Sequence, residues 1–321
     1  METKVLLITN KEDVTTNYVE EELKCREISY YRFNTEELTK SVHLDLDLSN
    51  SQQYLYDDNL ECYFDLRSFS SVYFRRAVLP CYSNEELSDD ELFFVNNENK
   101  YTLEGIYKLL RGANWISSLF AIREAENKIY QLDIAKRIGF TIPDSIVSNR
   151  YKSLSMFFNR NDYDCIIKPI HSGRVGCSNK LGQVFTNKIE DLGNKDQMES
   201  YVNFLQKHIR KKGDIRVTVV GNKFYSVFID SQRNLDSEID WRKDQDKLIY
   251  SRHSLPDNIE TMCISLLAKL NLGFGAIDFI LTEDDSYVFL EINPNGQWAW
   301  VEMVVGYNIK REIVNGLVYG T

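Results

Sequence analysis

The stretches AIDFIL at 276–281 and VFLEIN at 288–293 decide how this chain folds near its C-terminal end. Both are runs of strand-forming residues, and the short polar turn between them predicts an antiparallel hairpin. If the turn is centred midway between the two runs, Asp278 lies directly opposite Glu291. Because side chains alternate along a strand, Asn293 then lies on the same face of the hairpin.

Two carboxylates that face each other within apolar strands repel, and the repulsion favours protonation unless a cation lies between them. Carboxylate and amide oxygens, with room left for phosphate oxygens and water, suit Mg²⁺. Asp278, Glu291 and Asn293 are therefore candidate magnesium ligands. The alternative is a solvent-facing hairpin whose acids stay hydrated, and the pattern by itself leaves both open.

A second candidate feature is Lys168, which ends the predicted strand CIIK at 165–168 and leads into the loop PIHSGRVG at 169–176. A lysine in this position can reach phosphate oxygens while backbone N–H groups of the loop close over them. The loop residues concerned are Ser172, Gly173 and Gly176. No Gly-Lys-Ser/Thr of a Walker A motif is present, so a flexible connection with an exposed lysine is the alternative. Lys128, just inside the helix predicted before this strand, is a weaker candidate.

Two aspartate–arginine pairs are candidates for binding an anion. Asp214 and Arg216 are two residues apart on a predicted strand and share one face, as do Asp240 and Arg242 if 239–242 is extended. An arginine oriented by an aspartate suits bidentate contact with a phosphate or a carboxylate. Ordinary surface ion pairs, each contributing only ~0–1 kcal/mol, are the alternative.

The N-terminal part predicts a βαβ unit, with a strand at 5–8, an amphipathic helix near 18–23 and a second strand at 28–33. This segment carries no G-x-G-x-x-G motif, so the sequence does not support a dinucleotide-binding site. A further predicted strand at 71–76 ends in two arginines, and a Gly-Asn pair at 221–222 predicts a hairpin turn.

Composition limits the classes of function. The chain has 321 residues and a formal net charge of -10, which predicts two or three subdomains and disfavours a nucleic-acid partner. Its six cysteines are scattered without a C-x-x-C pair and are expected to be reduced. No apolar run approaches the ~18 residues of a membrane span. No signal segment is recognisable, so no membrane partner and a cytoplasmic location are expected.

The order of these motifs resembles the ATP-grasp fold over about residues 120–321. The motifs are, in order, ENK at 126–128, IKP at 167–169, FLQKHI at 204–209, DIRV at 214–217, Asp278 and EINPN at 291–295. Within that superfamily, LEINPNGQW at 290–298 is similar to the graspetide maturases, the ligases that cyclise microviridin-type precursor peptides. VLLITN at 5–10 and YRFNT at 31–35 resemble the N-terminal domain of these enzymes.

The resemblance implies an α/β (α+β) architecture in which two ATP-grasp subdomains sandwich ATP. A βαβ-type pre-ATP-grasp domain would occupy residues 1–120, the central subdomain 121–205, and the C-terminal subdomain with the metal site 206–321. A homodimer is expected by analogy with the family.

The resemblance also implies roles for the candidate residues. ATP phosphates would be held by Lys128 and Lys168 under the loop at 171–176, and Mg²⁺ by the three hairpin ligands. Arg216 and Arg242 would face the reacting phosphate or the substrate carboxylate. Asp214 and Asp240 would orient the arginines or contact the peptide. The adenine edge would be bound by the linker residues Gln206, Lys207 and Ile209. Lys207 stands where many ATP-grasp linkers have an acidic residue, so this chain departs from the pattern at the ribose contact.

The implied activity is an ADP-forming ligase that activates Glu or Asp side chains of a ribosomal precursor peptide. Each acyl phosphate would react with a Thr or Ser hydroxyl to give an ω-ester, or with a Lys amine to give an ω-amide. The precursor's leader would dock on the enzyme, with Tyr73, Phe74, Arg75 and Arg76 as candidate surface residues. A packed strand with salt-bridged arginines is the alternative for these four residues, and the sequence favours it. The alternatives are a RimK-like ligase that adds amino acids to a terminus, a nucleotide-binding regulatory module and a small-molecule kinase.

Overall fold

The computed structural model describes residues 4–82, 87–171, 174–175 and 182–320. Ser172, Gly173 and Gly176, three of the predicted phosphate-loop residues, lie outside the described residues. Among the described helices, none combines the length and the apolar character that crossing a bilayer requires.

The N-terminal part contains a four-stranded parallel sheet and a separate three-stranded antiparallel sheet. Its strands are β1 (Lys4–Thr9), β2 (Ser29–Asn34), β3 (Val42–Asp47), β4 (Gln52–Asp57), β5 (Cys62–Asp65), β6 (Ser71–Phe74) and β7 (Asn114–Trp115), and its helices are α1 (Val14–Cys25), α2 (Asp89–Leu109) and α3 (Leu119–Ala125). The parallel sheet has the order β2-β1-β6-β7, and β3-β4-β5 form the other sheet. β1 and β2 are paired parallel strands, and α1 connects them in sequence, so the predicted βαβ unit is confirmed.

The middle of the chain forms a smaller antiparallel sheet flanked by helices. Its elements are α4 (Lys128–Ile138), β8 (Ser145–Ser148), α5 (Tyr151–Arg160), β9 (Cys165–Ile167), β10 (Arg174–Val175), β11 (Gly182–Gln183), β12 (Asn187–Ile189), α6 (Lys195–Glu199) and β13 (Asn203–Lys207). The sheet has the order β12-β9-β13-β8. The Asn127 side chain caps α4, and Gly139 ends the helix with a φ of 111°. Lys128 therefore stands at the first turn of α4, and Lys168 directly follows β9.

The C-terminal part is a five-stranded antiparallel sheet with the order β16-β15-β14-β17-β18. Its elements are β14 (Gly213–Val220), β15 (Lys223–Ile229), β16 (Tyr250–His253), α7 (Asp257–Lys269), β17 (Phe274–Leu281), β18 (Tyr287–Asn293), α8 (Ala299–Val305) and α9 (Ile309–Tyr319). The Gly221-Asn222 hairpin between β14 and β15 is confirmed. Ile215, Val217 and Ile277 belong to the buried core, whereas the intervening Arg216 and Asp278 lie on the other face. Strand alternation thus sets the candidate site residues on the face opposite the core.

The β17–β18 register confirms the predicted contact between the two carboxylates. Asp278 pairs with Glu291, and Ala276 pairs with Asn293. A bulge between Asp278 and Phe279 then shifts the pairing by one residue towards the turn. The uniform register assumed from the sequence is therefore wrong beyond Asp278, although it is correct at the site.

The C-terminal helix α9 packs against the first βαβ unit. Ile309, Ile313 and Leu317 share a buried cluster with Val5 and Leu7 of β1. The two ends of the chain therefore belong to one core. The division into domains at 1–120, 121–205 and 206–321 stays a prediction.

Candidate active site

A cavity of about 970 Å³ lies between the three parts of the chain. Residues from all of them line it, including Asn10, Asp13, Lys128, Lys168, Asp214, Asp240, Arg242, Asp278, Glu291 and Asn293. The fold therefore brings together candidate residues that lie as far apart in sequence as Lys128 and Asn293. Arg216 is not among the described residues that line the cavity; its side chain is 7% exposed and lies behind Asp278.

The two carboxylates of the hairpin are each held by a cation. Arg216 Nη1 donates to Asp278 Oδ2 at 2.7 Å, and Lys128 Nζ lies 3.1 Å from Glu291 Oε2. Their side chains are only 14% and 16% exposed, so the alternative of hydrated, solvent-facing acids is wrong.

The electrostatic surroundings separate the two carboxyl groups. Burial raises the pKa of both, but at Glu291 the cations Lys128, Lys168 and Arg242 outweigh burial and hold the pKa at about 2. At Asp278 burial dominates, and the negative charge of Glu291 adds to it, so the pKa lies above its usual value despite Arg216. Glu291 is thus a permanent anion, and Asp278 gains from any further cation placed beside it.

The oxygen atoms of this site fit a divalent cation. Asp278 Oδ1 is buried and has no hydrogen-bond partner among the described residues. A buried carboxylate oxygen without a partner is costly, and a metal ion is one way to satisfy it. In the part of the chain that is described, no three His, Cys, Asp or Glu side chains are grouped so that they alone could hold a metal ion. A cation here would therefore use Asp278 and Glu291 with the Asn293 amide and oxygens from a bound substrate.

Lys168 is a half-buried lysine that lines the cavity. Its ammonium lies 5.4 Å from the centre of the Phe204 ring, and burial lowers its pKa to about 8 despite the negative charge of Glu291. Nearby Lys128 contributes to the lowering and also donates to the Pro169 carbonyl at 3.1 Å. Two cations held close together in a buried cavity favour an anionic ligand such as phosphate.

Arg242 is held by Asp240, as predicted, but not by an extended strand. Its Nε and Nη2 each donate to Asp240 at 2.8 Å. The two residues lie at the start of a 3₁₀ turn, Trp241–Lys243, which the Asp240 side chain caps through the Arg242 backbone N–H. The condition of an extended 239–242 is therefore not met, because the Asp240 side chain bonds the backbone two residues ahead and starts a turn.

Asp214 does not orient Arg216. Its Oδ2 accepts a hydrogen bond from Lys211 Nζ at 2.7 Å, and both side chains are nearly completely buried. Burial raises the pKa of Asp214, with Lys211 opposing the shift. The expectation that Asp214 holds Arg216 is corrected: the partner of Arg216 is Asp278 on the neighbouring strand. Lys211 was missed because nothing in its local sequence marks a lysine for burial.

The linker residues lie away from the cavity. Gln206 is fully buried, and its Nε2 donates to Ser145 Oγ at 2.8 Å. The Lys207 backbone N–H donates to the Asp144 carbonyl. Within the described ranges, neither these two nor Ile209 lines the 970 Å³ cavity or a second cavity of about 340 Å³ beside β9. Their predicted contact with adenine stays a prediction.

The residues proposed as a leader-docking surface are mostly inside the protein. Tyr73 is 4% exposed, Phe74 7% and Arg75 1%. A docking surface is therefore wrong for these three, and the alternative of a packed, salt-bridged strand is confirmed. Arg75 instead forms an ion pair with Asp13 at 3.1 Å. β6 is a central strand of the N-terminal sheet, which is why its residues pack rather than face solvent.

The fold and this site define an ATP-grasp ligase. The model of the RimK-like ATP-grasp domain matches residues 125–317, and that of the MvdD pre-ATP grasp domain matches residues 4–123. The chain belongs to the RimK-like ATP-grasp family. A comparison with curated protein sequences gave no significant match.

Among solved structures, the chain is similar to ligases that modify peptides. A RiPP-associated ATP-grasp ligase from Chryseobacterium gregarium, solved in complex with ADP and a leader and core peptide, is 29% identical with a TM-score of 0.90, over 99% of this chain and 97% of that one. The macrocyclase MdnB from Microcystis aeruginosa MRC is 27% identical with a TM-score of 0.83, over 99% and 100% of the two chains. MdnC of the same organism, solved with the precursor peptide MdnA, is 23% identical with a TM-score of 0.86, over 98% and 99%, and supports the fold.

Proposed function

We propose that this protein is an ADP-forming ligase that joins side-chain carboxylates of a ribosomal precursor peptide to hydroxyl or amine groups of the same peptide. The observation that carries the proposal is the convergence of Lys128, Lys168 and Arg242 on Glu291 within one cavity. This arrangement binds a polyanion and offers oxygen atoms to a cation in the same place. Cytoplasmic location and a second copy of the chain as partner stay predictions.

Lys128 and Lys168 bind the ATP phosphates in this proposal. Lys168 is half-buried and its pKa is lowered to about 8, so a phosphate beside it favours the charged form and the two stabilise each other. Asp240 accepts hydrogen bonds from Nε and Nη2 of Arg242. The third guanidinium nitrogen, Nη1, would contact the reacting groups. A pre-oriented guanidinium stabilises developing charge without rearrangement in the transition state.

Asp278, Glu291 and Asn293 would hold Mg²⁺, which when bound would neutralise charge on the phosphate oxygens. The unpartnered Asp278 Oδ1 and the permanently ionised Glu291 support this assignment. Arg216 occupies the other oxygen of Asp278 and so fixes the direction in which Oδ1 points.

The reaction proceeds in two steps. A substrate carboxylate oxygen attacks the γ-phosphorus of ATP, the bond to the ADP oxygen breaks, and an acyl phosphate forms. The hydroxyl or amine of the peptide then attacks the acyl carbon, phosphate leaves with its bonding electrons, and the nucleophile loses its proton. Positioning and cationic charge supply most of the catalysis in such phosphoryl transfers.

A precursor peptide as substrate is supported by the relative from Chryseobacterium gregarium, which was solved with a leader and core peptide. The cavity of about 970 Å³ lies at the upper end of the roughly 300–1,000 Å³ usual for small-molecule sites, and it extends to residues of the N-terminal part, including Asn10 and Asp13. A peptide segment can therefore enter beside the nucleotide.

Mass spectrometry of a candidate precursor encoded beside this gene, incubated with the protein, ATP and Mg²⁺, tests the proposal. Each ester or amide ring lowers the peptide mass by one water, about 18 Da, because a carboxyl oxygen leaves with the released phosphate and the nucleophile loses a proton. Omitting ATP should abolish the loss. Base hydrolysis then restores the mass of esters but not of amides.

The other outcomes select other functions. A mass increase of one amino-acid residue would select a RimK-like ligase. A stable phosphate adduct would select a kinase. An unchanged peptide with intact ATP binding would contradict a ligase acting on that precursor, and hydroxylamine trapping of an acyl phosphate would then show whether any carboxylate is activated.

A further inference from the structure

Arg75 leaves the N-terminal sheet at the end of β6 and reaches the loop that follows β18. Its Nη1 donates to the carbonyl oxygens of Asn295 at 3.1 Å and Gly296 at 2.9 Å. The residue is 1% exposed, which is unusual for a charged side chain. A buried arginine that binds two successive carbonyls fixes the backbone between them.

The guanidinium itself is held firmly from the N-terminal side. Arg75 Nε donates to Asp13 Oδ1 at 3.2 Å, at the start of α1. The other Asp13 oxygen accepts hydrogen bonds from Thr9 at 3.0 Å and Thr16 at 2.7 Å. Because Asp13 is anchored in this way, Arg75 has little freedom to follow a moving loop.

The loop beyond β18 is tightly packed around Asn293. The Gly296 N–H donates to the Asn293 carbonyl at 3.1 Å, and the Asn295 N–H donates to the Asn293 side-chain Oδ1 at 3.2 Å. A Cβ on Gly296 would lie 2.4 Å from Ala276 Cβ. The turn that orients the Asn293 amide is thus the same turn whose carbonyls Arg75 holds.

We infer that Arg75 is a positioning residue for the metal site: by holding the Asn295 and Gly296 carbonyls it orients the Asn293 amide towards Asp278 and Glu291. The inference rests on the metal site in the proposed function. It makes the N-terminal domain a structural part of that site, because both Arg75 and its partner Asp13 come from that domain.

Manganese binding tests the inference directly. The full-length protein is titrated with Mn²⁺ in the presence of ADP, and free Mn²⁺ is measured by electron paramagnetic resonance. Arg75→Met is expected to weaken Mn²⁺ binding by about 10- to 100-fold, as the loss of groups that orient metal ligands usually does. ADP affinity without metal should stay unchanged, which separates positioning from a general structural effect.

Arg26→Met is the matched control. Arg26 also joins the N-terminal part to the C-terminal helix α9, with Nη1 donating to Asn315 at 2.8 Å, but its contacts do not include the loop that follows β18. It should bind Mn²⁺ like the unaltered protein. If Arg75→Met does not fold by circular dichroism, Arg75→Lys is measured by the same criterion, because one ammonium cannot reproduce the planar guanidinium contacts.

Asp278→Asn separates this inference from the proposed function. Loss of Mn²⁺ binding in Asp278→Asn, with normal binding in the folded Arg75 variant, would overturn the role of Arg75 and leave the metal site standing. Unchanged Mn²⁺ binding in Asp278→Asn would overturn the metal site, and the inference with it. Weakened binding in both variants, with Arg26→Met unaffected, supports the inference.

Discussion

Arg216 and Asp278 lie directly opposite each other on β14 and β17, and Arg216 Nη1 donates to Asp278 Oδ2 at 2.7 Å. The contact leaves Asp278 Oδ1 buried and without a partner among the described residues. One oxygen of the carboxylate is therefore committed to holding the side chain in place, and the other is free to bind a cation. This division of roles underlies the predictions for the site.

Glu291→Gln is expected to lower the rate of ADP formation by roughly 10²–10³-fold, as the loss of one preorganised electrostatic group does. The amide cannot neutralise Lys128 or bind a cation as a carboxylate does. Because the pKa of Glu291 is held at about 2, and Lys168 is charged well below about pH 8, the loss should be the same at pH 5 and pH 6. The measurement is ADP release by Glu291→Gln. The control is Glu283→Gln, in the exposed turn of the same hairpin, which should keep full activity.

ADP affinity is expected to depend on pH through Lys168. Its pKa is lowered to about 8 without ligand, so it is charged below that pH and neutral above it. Binding to phosphate requires the charged form, so affinity should fall by about tenfold per pH unit from pH 8.5 upwards. Calorimetric titration without metal measures this, and Lys168→Met should bind weakly with no such slope. An unaltered protein with a flat profile over this range would remove Lys168 from the phosphate site.

Gly296→Ala is expected to destabilise the protein by about 1–3 kcal/mol, the usual cost of overpacking. The added methyl would lie 2.4 Å from Ala276 Cβ and 2.7 Å from Arg216 Nη2, so the Asn293 turn or Arg216 must move. Turnover should fall as well. Urea denaturation measures the change against Gly105→Ala in α2, where nothing lies within 4 Å and a gain of about 0.5–1 kcal/mol is expected. Equal stabilities of the two variants would contradict the tight packing.

Lys211→Met is expected to destabilise the protein by about 3–5 kcal/mol at neutral pH, because it leaves the buried Asp214 carboxylate without its partner. The loss should shrink as the pH falls, since protonation removes the uncompensated charge. Lys212→Met is the matched control. Lys212 neighbours Lys211 in sequence but pairs with the exposed Asp285, so this substitution should change the stability by less than about 1 kcal/mol. Thermal unfolding across pH 5–8 distinguishes the two.

Local sequence patterns were sufficient to predict the secondary-structure elements that carry the candidate site. The β17–β18 hairpin, the glycine that ends α4 and the Gly221-Asn222 turn each follow from residues close together in sequence. The contact between Asp278 and Glu291 was predictable because strand pairing fixes which side chains face each other. The bulge after Asp278 was not, since no local residue marks it.

The partners of the charged side chains were less predictable. Spacing along one strand suggested Asp214 as the partner of Arg216, but cross-strand pairing placed Asp278 closer. The same limit applies to Arg75: a salt bridge was predictable for it, but its carbonyl acceptors, more than 200 residues away in sequence, were not. Ion-pair partners depend on which elements meet, and spacing alone does not encode that.

The sequence by itself determined the βαβ start, the C-terminal hairpins and the facing pair of carboxylates, because each depends on alternation and turn residues within a short stretch. Only the tertiary structure decided that Lys128 and Lys168 converge on Glu291, that Asp278 keeps one oxygen unpartnered, and that Arg75 holds the loop beyond β18. These features require three parts of the chain to pack around one cavity. Burial raises the pKa of Asp278, while the cations around Glu291 lower its pKa despite burial, and both effects depend on the whole fold.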